Sequence, residues 1–309
     1  MLLNFDNEKI DHLMRVIIVC YLFIVISLVA SLSSCRETKI YGTIKLNMNT
    51  YIDETEIDVK SWLSYYTWKL ENEGIDSAIK VLPDSTAVDT AVWRLIKLKY
   101  PYYSYSEGTY SLQPLGYFSQ GCENTTFDCS TPIHCLSMYL LYPITGITYE
   151  QVEGFCRWRT RVYNNIPSIK KTQKHFTFRL PSEEEWKSYA ILGFNENELL
   201  RGLADSVTIN VRKNGSVRRC ALFNYKNSQF CGKTVMSSVV RVSCSFPNIN
   251  NVIGLFGNVS EMTVTKGLSK GGNYLLYAKQ CHPDSVQYYS KPEKWLGFRC
   301  IVTVEDESE

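Results

Sequence analysis

The residues of this chain with the widest chemical reach are its cysteines. There are 11 of them in 309 residues, beside only 4 histidines. A thiolate can attack an electrophile, ligate a soft metal or close a disulfide. Several other catalytic signatures do not occur in the sequence: no Walker A run, no H-E-x-x-H and no C-x-x-C. His134, His175 and His282 are scattered, which excludes a histidine-rich metal cage. Cys281 and His282 are adjacent in sequence. Adjacent side chains diverge in extended backbone, so they do not form a ready ligand pair.

Composition limits what those thiols serve. The chain is 45% hydrophobic, 21% charged and 13% aromatic. That is ordinary globular usage, which excludes fibrous, low-complexity and wholly disordered classes. The formal charge is +2, with no basic block, so no nucleic-acid partner is expected. Eleven cysteines suit an oxidising compartment better than a reducing cytosol.

The N-terminus names such a compartment. Val16 to Leu32 is an uncharged apolar run, and it ends in Leu32-Ser33-Ser34-Cys35. An aliphatic residue, two small residues and a cysteine form a lipobox, in which the Cys35 thiol carries the lipid. Residues 1–34 are then a signal peptide, with Met14 offering a tidier start than the acidic stretch before it. Residues 35–43 become a lipidated tether. The expectation is a bacterial lipoprotein anchored to the membrane, in the outer membrane and facing the periplasm. A diacyl-triacyl anchor holds stably. The sequons at Asn124, Asn214 and Asn258 are expected to stay unglycosylated in such a host.

The elements that must position any site are set by caps and periodicity. Asp58 can cap a helix over Val59–Leu70, with Trp62, Tyr65, Tyr66 and Lys69 at helical spacing. A short helix is expected near Val88–Leu98. Thr148 with Gln151 forms a capping box for a helix over 148–164, whose Val152, Phe155, Cys156 and Arg159 share a face. Ser182 caps a helix over 182–192, with Glu183, Glu184 and Glu185 in its first turn. Residues 204–250 and 251–304 read as loops and short strands. Residues 304–309 read as a frayed acidic tail. No repeat or linker divides the chain, so residues 44–303 form one domain.

Several ordered segments resemble the formylglycine-generating enzyme (sulfatase-modifying factor) family. They are Tyr142-Pro143-Ile144-Thr145-Gly146 leading to Phe155-Cys156-Arg157-Trp158, then Arg179-Leu180-Pro181-Ser182-Glu183-Glu184-Glu185-Trp186. Gly257-Asn258-Val259-Ser260-Glu261-Met262 comes next, then Gly271-Gly272-Asn273-Tyr274, and Leu296-Gly297-Phe298-Arg299-Cys300 closes the set. Tyr51 to Ile57 is similar to the family's early strand. The resemblance implies an α+β, C-type-lectin-like fold with little regular secondary structure.

It also implies where chemistry would sit. Catalytic members hold copper(I) between two cysteines five residues apart. The first position here is Leu276 and the second is Cys281, so copper is not expected and catalysis is not. The family's calcium loop maps onto Gly257, Val259 and Glu261, while its side-chain asparagine becomes Gly254. A calcium site and a bare turn are both open at that loop. The resemblance further implies a Cys156–Cys300 disulfide. Cys122, Cys129, Cys135, Cys220, Cys231, Cys244 and Cys281 remain, an odd number, so at least one stays unpaired within the chain.

The functional expectation is a non-catalytic scaffold or protein-binding module, similar to gliding-motility and secretion-associated lipoproteins of the family, with envelope proteins as partners. The alternative is a copper- or iron-dependent oxidase using Cys281. A third reading takes the tyrosines of Tyr100–Tyr117 as a glycan-stacking face.

Overall fold

A computed structural model of the chain describes residues 40–99, 103–106, 109–112, 137–191, 207–211, 217–220, 223–226, 238–245 and 247–306. The expected signal peptide, Cys35, Cys122, Cys129, Cys135, Cys231 and most of Tyr100–Tyr117 lie outside them. Among the described residues no helix is long and apolar enough to cross a membrane. The folded unit begins at Gly42.

Two four-stranded sheets carry the fold. In the first, β1 (Thr43–Lys45), β2 (Thr50–Asp53), β12 (Ile301–Asp306) and β5 (Lys174–Arg179) lie in that order, all antiparallel. The two ends of the domain therefore meet in neighbouring strands, with Ile301 opposite Ile52. The second sheet has the order β10 (Gln287–Tyr288), β9 (Leu268–Lys270), β8 (Ser260–Met262), β11 (Leu296–Gly297). Its β8–β11 pair is parallel. Two hairpins stand apart in pairing: β3 (Tyr103–Ser106) with β4 (Thr109–Leu112), and β6 (Val207–Val211) with β7 (Val217–Cys220).

The helices begin where their caps predict. In α1 (Val59–Glu73) the Asp58 carboxylate accepts from Ser61 N at 2.8 Å. Two short helices come next, α2 (Ile75–Ile79) and α3 (Thr90–Lys99). α4 (Tyr149–Asn164) opens with the Thr148–Gln151 capping box, at 3.2 and 2.8 Å. After the single turn α5 (Pro167–Lys170) comes α6 (Glu183–Ala190), where Ser182 and Glu185 exchange the same reciprocal bonds. Arg179 grips Glu185 with two bonds of 2.7 and 2.6 Å, tying the end of β5 to the start of α6.

Helices α1 and α4 meet through aromatic rings. Trp62 stacks on Phe155 at 5.5 Å, and Phe298 meets both edge-on at 6.1 and 5.3 Å. Such offset and edge contacts suit ring quadrupoles. A second core joins α6 to the C-terminal half: Trp186, Phe223, Leu255, Phe256 and Cys281, with Ile52 and Ile301 from the first sheet.

Helix ends differ from expectation by two or three residues, α1 running on to Glu73 and α6 stopping at Ala190, and one boundary changes the element type. The acidic tail expected from residue 304 is strand as far as Asp306, since β12 pairs with β5 to Asp306↔Lys174. The ladder outweighs the poor strand propensity of Glu305 and Asp306, and opposite charges face each other at its end. Residues 307–309 lie outside the described residues.

Candidate functional site

The segment from Gly271 to Cys281 should carry the thiol chemistry, and its geometry can be built from the glycines outward. Gly271 and Gly272 have φ of +88° and +66°, a region that favours glycine. A Cβ on Gly272 would lie 2.5 Å from Cys281 Sγ, so the turn and the thiol are packed against each other. Asn273 then closes the turn. Its side-chain oxygen accepts from Leu275 N at 3.0 Å, and its amide nitrogen donates to Ser260 Oγ at 2.9 Å.

Neither position of the thiol pair is built for a metal. Leu276 is half-buried and packs on the core cluster that contains Cys281. Cys281 ends a single 3-10 turn, Ala278–Cys281, and is fully buried. Its sulfur faces the carbonyls of Tyr277 and Asn273 at 3.7 and 4.0 Å. Burial pushes its thiol up to about 12. A metal ligand or nucleophile must be a thiolate, and here the neutral form is strongly preferred. His282 is turned to Asp284, whose backbone N–H donates to Nδ1 at 3.2 Å. One protonated thiol beside a leucine does not fit copper(I).

Of the calcium-loop residues, Glu261 is turned to an arginine. Glu261 and Arg299 are both fully buried, with Oε1 2.5 Å from Nη2 and Oε2 2.7 Å from Nε. Trp186 Nε1 donates to the same Oε2 at 2.7 Å. The remaining Arg299 donors reach the carbonyls of Asp53 at 3.2 Å and Ile253 at 2.9 Å. Glu261 therefore already has a cation. Val259 points its side chain into an apolar cluster with Val239 and Tyr274. A side chain at position 254 would run into the Glu56 carboxylate. With that ligand missing and Glu261 engaged, the residues present do not fit a calcium ion.

Glu56 is the feature that residue types alone do not reveal. It is buried, and its Oε1 accepts from Asn258 Nδ2 at 2.9 Å. Among the described residues its Oε2 is buried without a partner, as is Asn224 Oδ1. Asn258 joins the two residues, since Asn224 Nδ2 donates to Asn258 Oδ1 at 3.3 Å. Burial raises the Glu56 carboxyl to about 8; the Arg299 charge opposes this and Glu261 adds to it. Glu56 is thus largely a neutral acid at pH 7. Asn258, at φ +56°, is itself buried, which leaves no room for a glycan on that sequon in the folded chain.

Cys156 of α4 and Cys300 just before β12 also meet. Both are thiols in this structure, with Sγ atoms 3.7 Å apart. A disulfide would draw them to about 2.05 Å. Asp53 anchors the place: its Oδ2 accepts from Cys300 N at 2.7 Å, and Arg159 binds both of its oxygens at 2.8 and 2.7 Å. Cys244 is half-buried elsewhere, and the Cys220 backbone lies in β7. Among the described residues no three His, Cys, Asp or Glu side chains converge as a metal cage.

These contacts set two stability outcomes. Glu261→Gln leaves Arg299 buried without its counter-charge and should cost about 3–5 kcal/mol in urea unfolding. The joint Glu261→Met, Arg299→Met change should cost less than the sum of the two single changes. For Glu56, the folded carboxyl titrates near 8 and the ordinary one near 4.5. The folded state holds more protons between these limits, so stability should fall as pH rises from about 4.5 to 8, by a few kcal/mol at most. Glu56→Gln, which copies the neutral acid, should flatten that slope in unfolding curves taken across the range. A wild-type slope that rises, or one unchanged in the variant, would refute the assignment.

The comparisons with known proteins bear on this scaffold. The family model of the sulfatase-modifying factor enzyme 1-like domain matches residues 51–304. Among solved structures, the chain is similar to PvdO from Pseudomonas aeruginosa, at 15% identity over 82% of this chain and 80% of that one, with a TM-score of 0.41. It is similar to CarF at 14% identity over 85% and 96%, with a TM-score of 0.39. It is also similar to Treponema denticola variable protein 1, at 14% identity over 85% and 91%, with a TM-score of 0.42. Among curated proteins no match is found. The family match takes in strands of both sheets and every motif segment from Tyr51 to Cys300, and the chain belongs to the sulfatase-modifying factor (formylglycine-generating enzyme) family, with its α+β fold.

Proposed function

We propose that the protein is a non-catalytic member of its family, a lipid-anchored protein-binding module of the bacterial cell envelope. One observation carries the non-catalytic part. Where catalytic relatives are expected to place two copper-binding thiolates, this chain has Leu276 and a buried, protonated Cys281. The scaffold around it is intact, with Gly271 packed on Trp186, and Trp186 bonded to the Glu261–Arg299 pair. An intact frame without its reactive pair suits binding rather than oxidation. The lipobox at Cys35 supports the anchored, outer-membrane, periplasm-facing setting, with envelope proteins of the gliding-motility or secretion type as partners.

The oxidase reading would need Cys281 to deprotonate and a second ligand to replace Leu276. Copper(I) titration of the full chain in detergent, beside Cys281→Ser, separates the two. The expected result is no copper that depends on Cys281 and no turnover of a cysteine-containing peptide. One tightly held equivalent lost in Cys281→Ser would overturn the proposal.

In that setting we place a diacylglyceryl group on Cys35 and a disulfide between Cys156 and Cys300. The disulfide would stabilise the fold by roughly 4–5 kcal/mol on the chain-entropy account. Peptide mapping of membrane-extracted protein without reductant should find a lipid-modified Cys35 and a linked Cys156–Cys300 peptide. An unmodified Cys35 in the mature protein would refute the anchor, and alkylated Cys156 and Cys300 would refute the bond.

A further inference from the structure

Away from the Cys281 segment, helices α1 and α4 enclose a cleft of about 380 Å³ between them. Three aromatic residues build it. Trp68 and Trp158 are half-buried on its walls, and buried Tyr65 forms its floor. Tyr65 packs on Trp158 at 5.2 Å. Opposite the Tyr65 hydroxyl stands Gly154, inside α4, where glycine costs about 1 kcal/mol relative to alanine. A Cβ there would lie 2.7 Å from that hydroxyl. The helix thus carries a weak residue at a point where a side chain would run into the floor.

The charges in the cleft are unevenly matched. Its two carboxylates already have partners: Glu73 pairs with Lys69 at 2.5 Å, and Glu150 pairs with Lys266. Gln151 is occupied by backbone, accepting from Thr148 N and donating to the carbonyls of Lys80 and Leu82. Arg161 lies over the Trp68 ring, 5.2 Å from its centroid, and no ion pair joins it to a carboxylate among the described residues. Lys80 is exposed and likewise unpaired among them. Lone surface cations are ordinary. What is unusual is two of them on the rim of an aromatic-walled cleft whose acceptors are already taken. Such a site has flat apolar faces and spare cationic donors, and its complement is a ring that bears an anion.

We propose that this cleft binds a small anion carried on a ring with an apolar face, with the ring against Trp68 and Trp158 and the anion on Arg161 and Lys80. The C–H face of an acidic sugar and the plane of an aryl carboxylate or phosphate both stack on tryptophan, so the two share that chemistry. The proposal does not depend on the non-catalytic reading of Cys281, because no residue is common to the two places.

The test uses the full chain in detergent, with tryptophan fluorescence and calorimetry as readouts. Two probes are titrated, a glucuronate-terminated disaccharide and phenyl phosphate. Inorganic phosphate and a neutral disaccharide serve as controls. At least one probe should bind saturably, about tenfold or more tighter than both controls, and the better probe identifies the source of the ring. Trp68→Ala and Arg161→Gln should each weaken it about tenfold, with thermal unfolding near that of the wild type. Lys80→Gln, at an exposed side chain, should weaken it severalfold and guards against a folding defect in the others. Probes that bind no better than the controls, or that bind equally well to all three variants, would overturn the proposal.

Discussion

The buried pair of Glu261 with Arg299 is the constraint on which the rest of this structure depends. Two full charges inside a protein are tolerated only when their mutual attraction is joined by hydrogen bonds to the remaining donors and acceptors. Here the demand is met by separate parts of the chain. Trp186 of α6 serves Glu261, while the carbonyls of Asp53 and Ile253 serve Arg299. To satisfy one ion pair, β2, β8, α6 and the segment before β12 must converge. The convergence then sets what lies beside it. Phe298, next to Arg299, enters the aromatic cluster of α1 and α4, and Cys300 comes against Cys156.

The same convergence explains how the fold stands without the reactive pair. Leu276 and Cys281 sit at the core cluster that Trp186 anchors. A leucine there adds apolar burial where a second thiol would add a polar atom that needs a partner. The segment is held by its glycine turn and by Asn273, neither of which requires a metal. In this chain the site residues are part of the packing. Cationic side chains unpaired with a carboxylate among the described residues, Arg161 and Lys80, line the cleft between α1 and α4 instead.

Much of the scaffold was legible in the sequence because its signals are local. Asp58, Thr148 and Ser182 announce helix starts through short-range bonds, and each helix begins where they predict. The family motifs were legible because ion-pair partners and glycines at positive φ tolerate few substitutes. Other features were not legible, for a common reason: they are decided by partners distant in sequence. Glu261 reads equally well as a calcium ligand or as part of a bare turn until Arg299, 38 residues away, is placed. Glu56 is an ordinary acid in a polar stretch until Asn258, 202 residues away, and Gly254 enclose it. The end of β12 reads as a solvated tail until β5 supplies the ladder. Gly154 looks like a defect in α4 until the Tyr65 hydroxyl is seen opposite it.

The central claim is that Cys281 is a core residue and has no chemical role. The rate at which its thiol is alkylated tests this most directly. The folded chain would be treated with iodoacetamide at pH 8, and modification of Cys281 would be followed by mass spectrometry against a denatured control. A buried thiol titrating near 12 should stay unmodified while the protein is folded and react at once when it is unfolded. Rapid labelling of Cys281 in the folded chain would show an accessible thiolate and contradict the account.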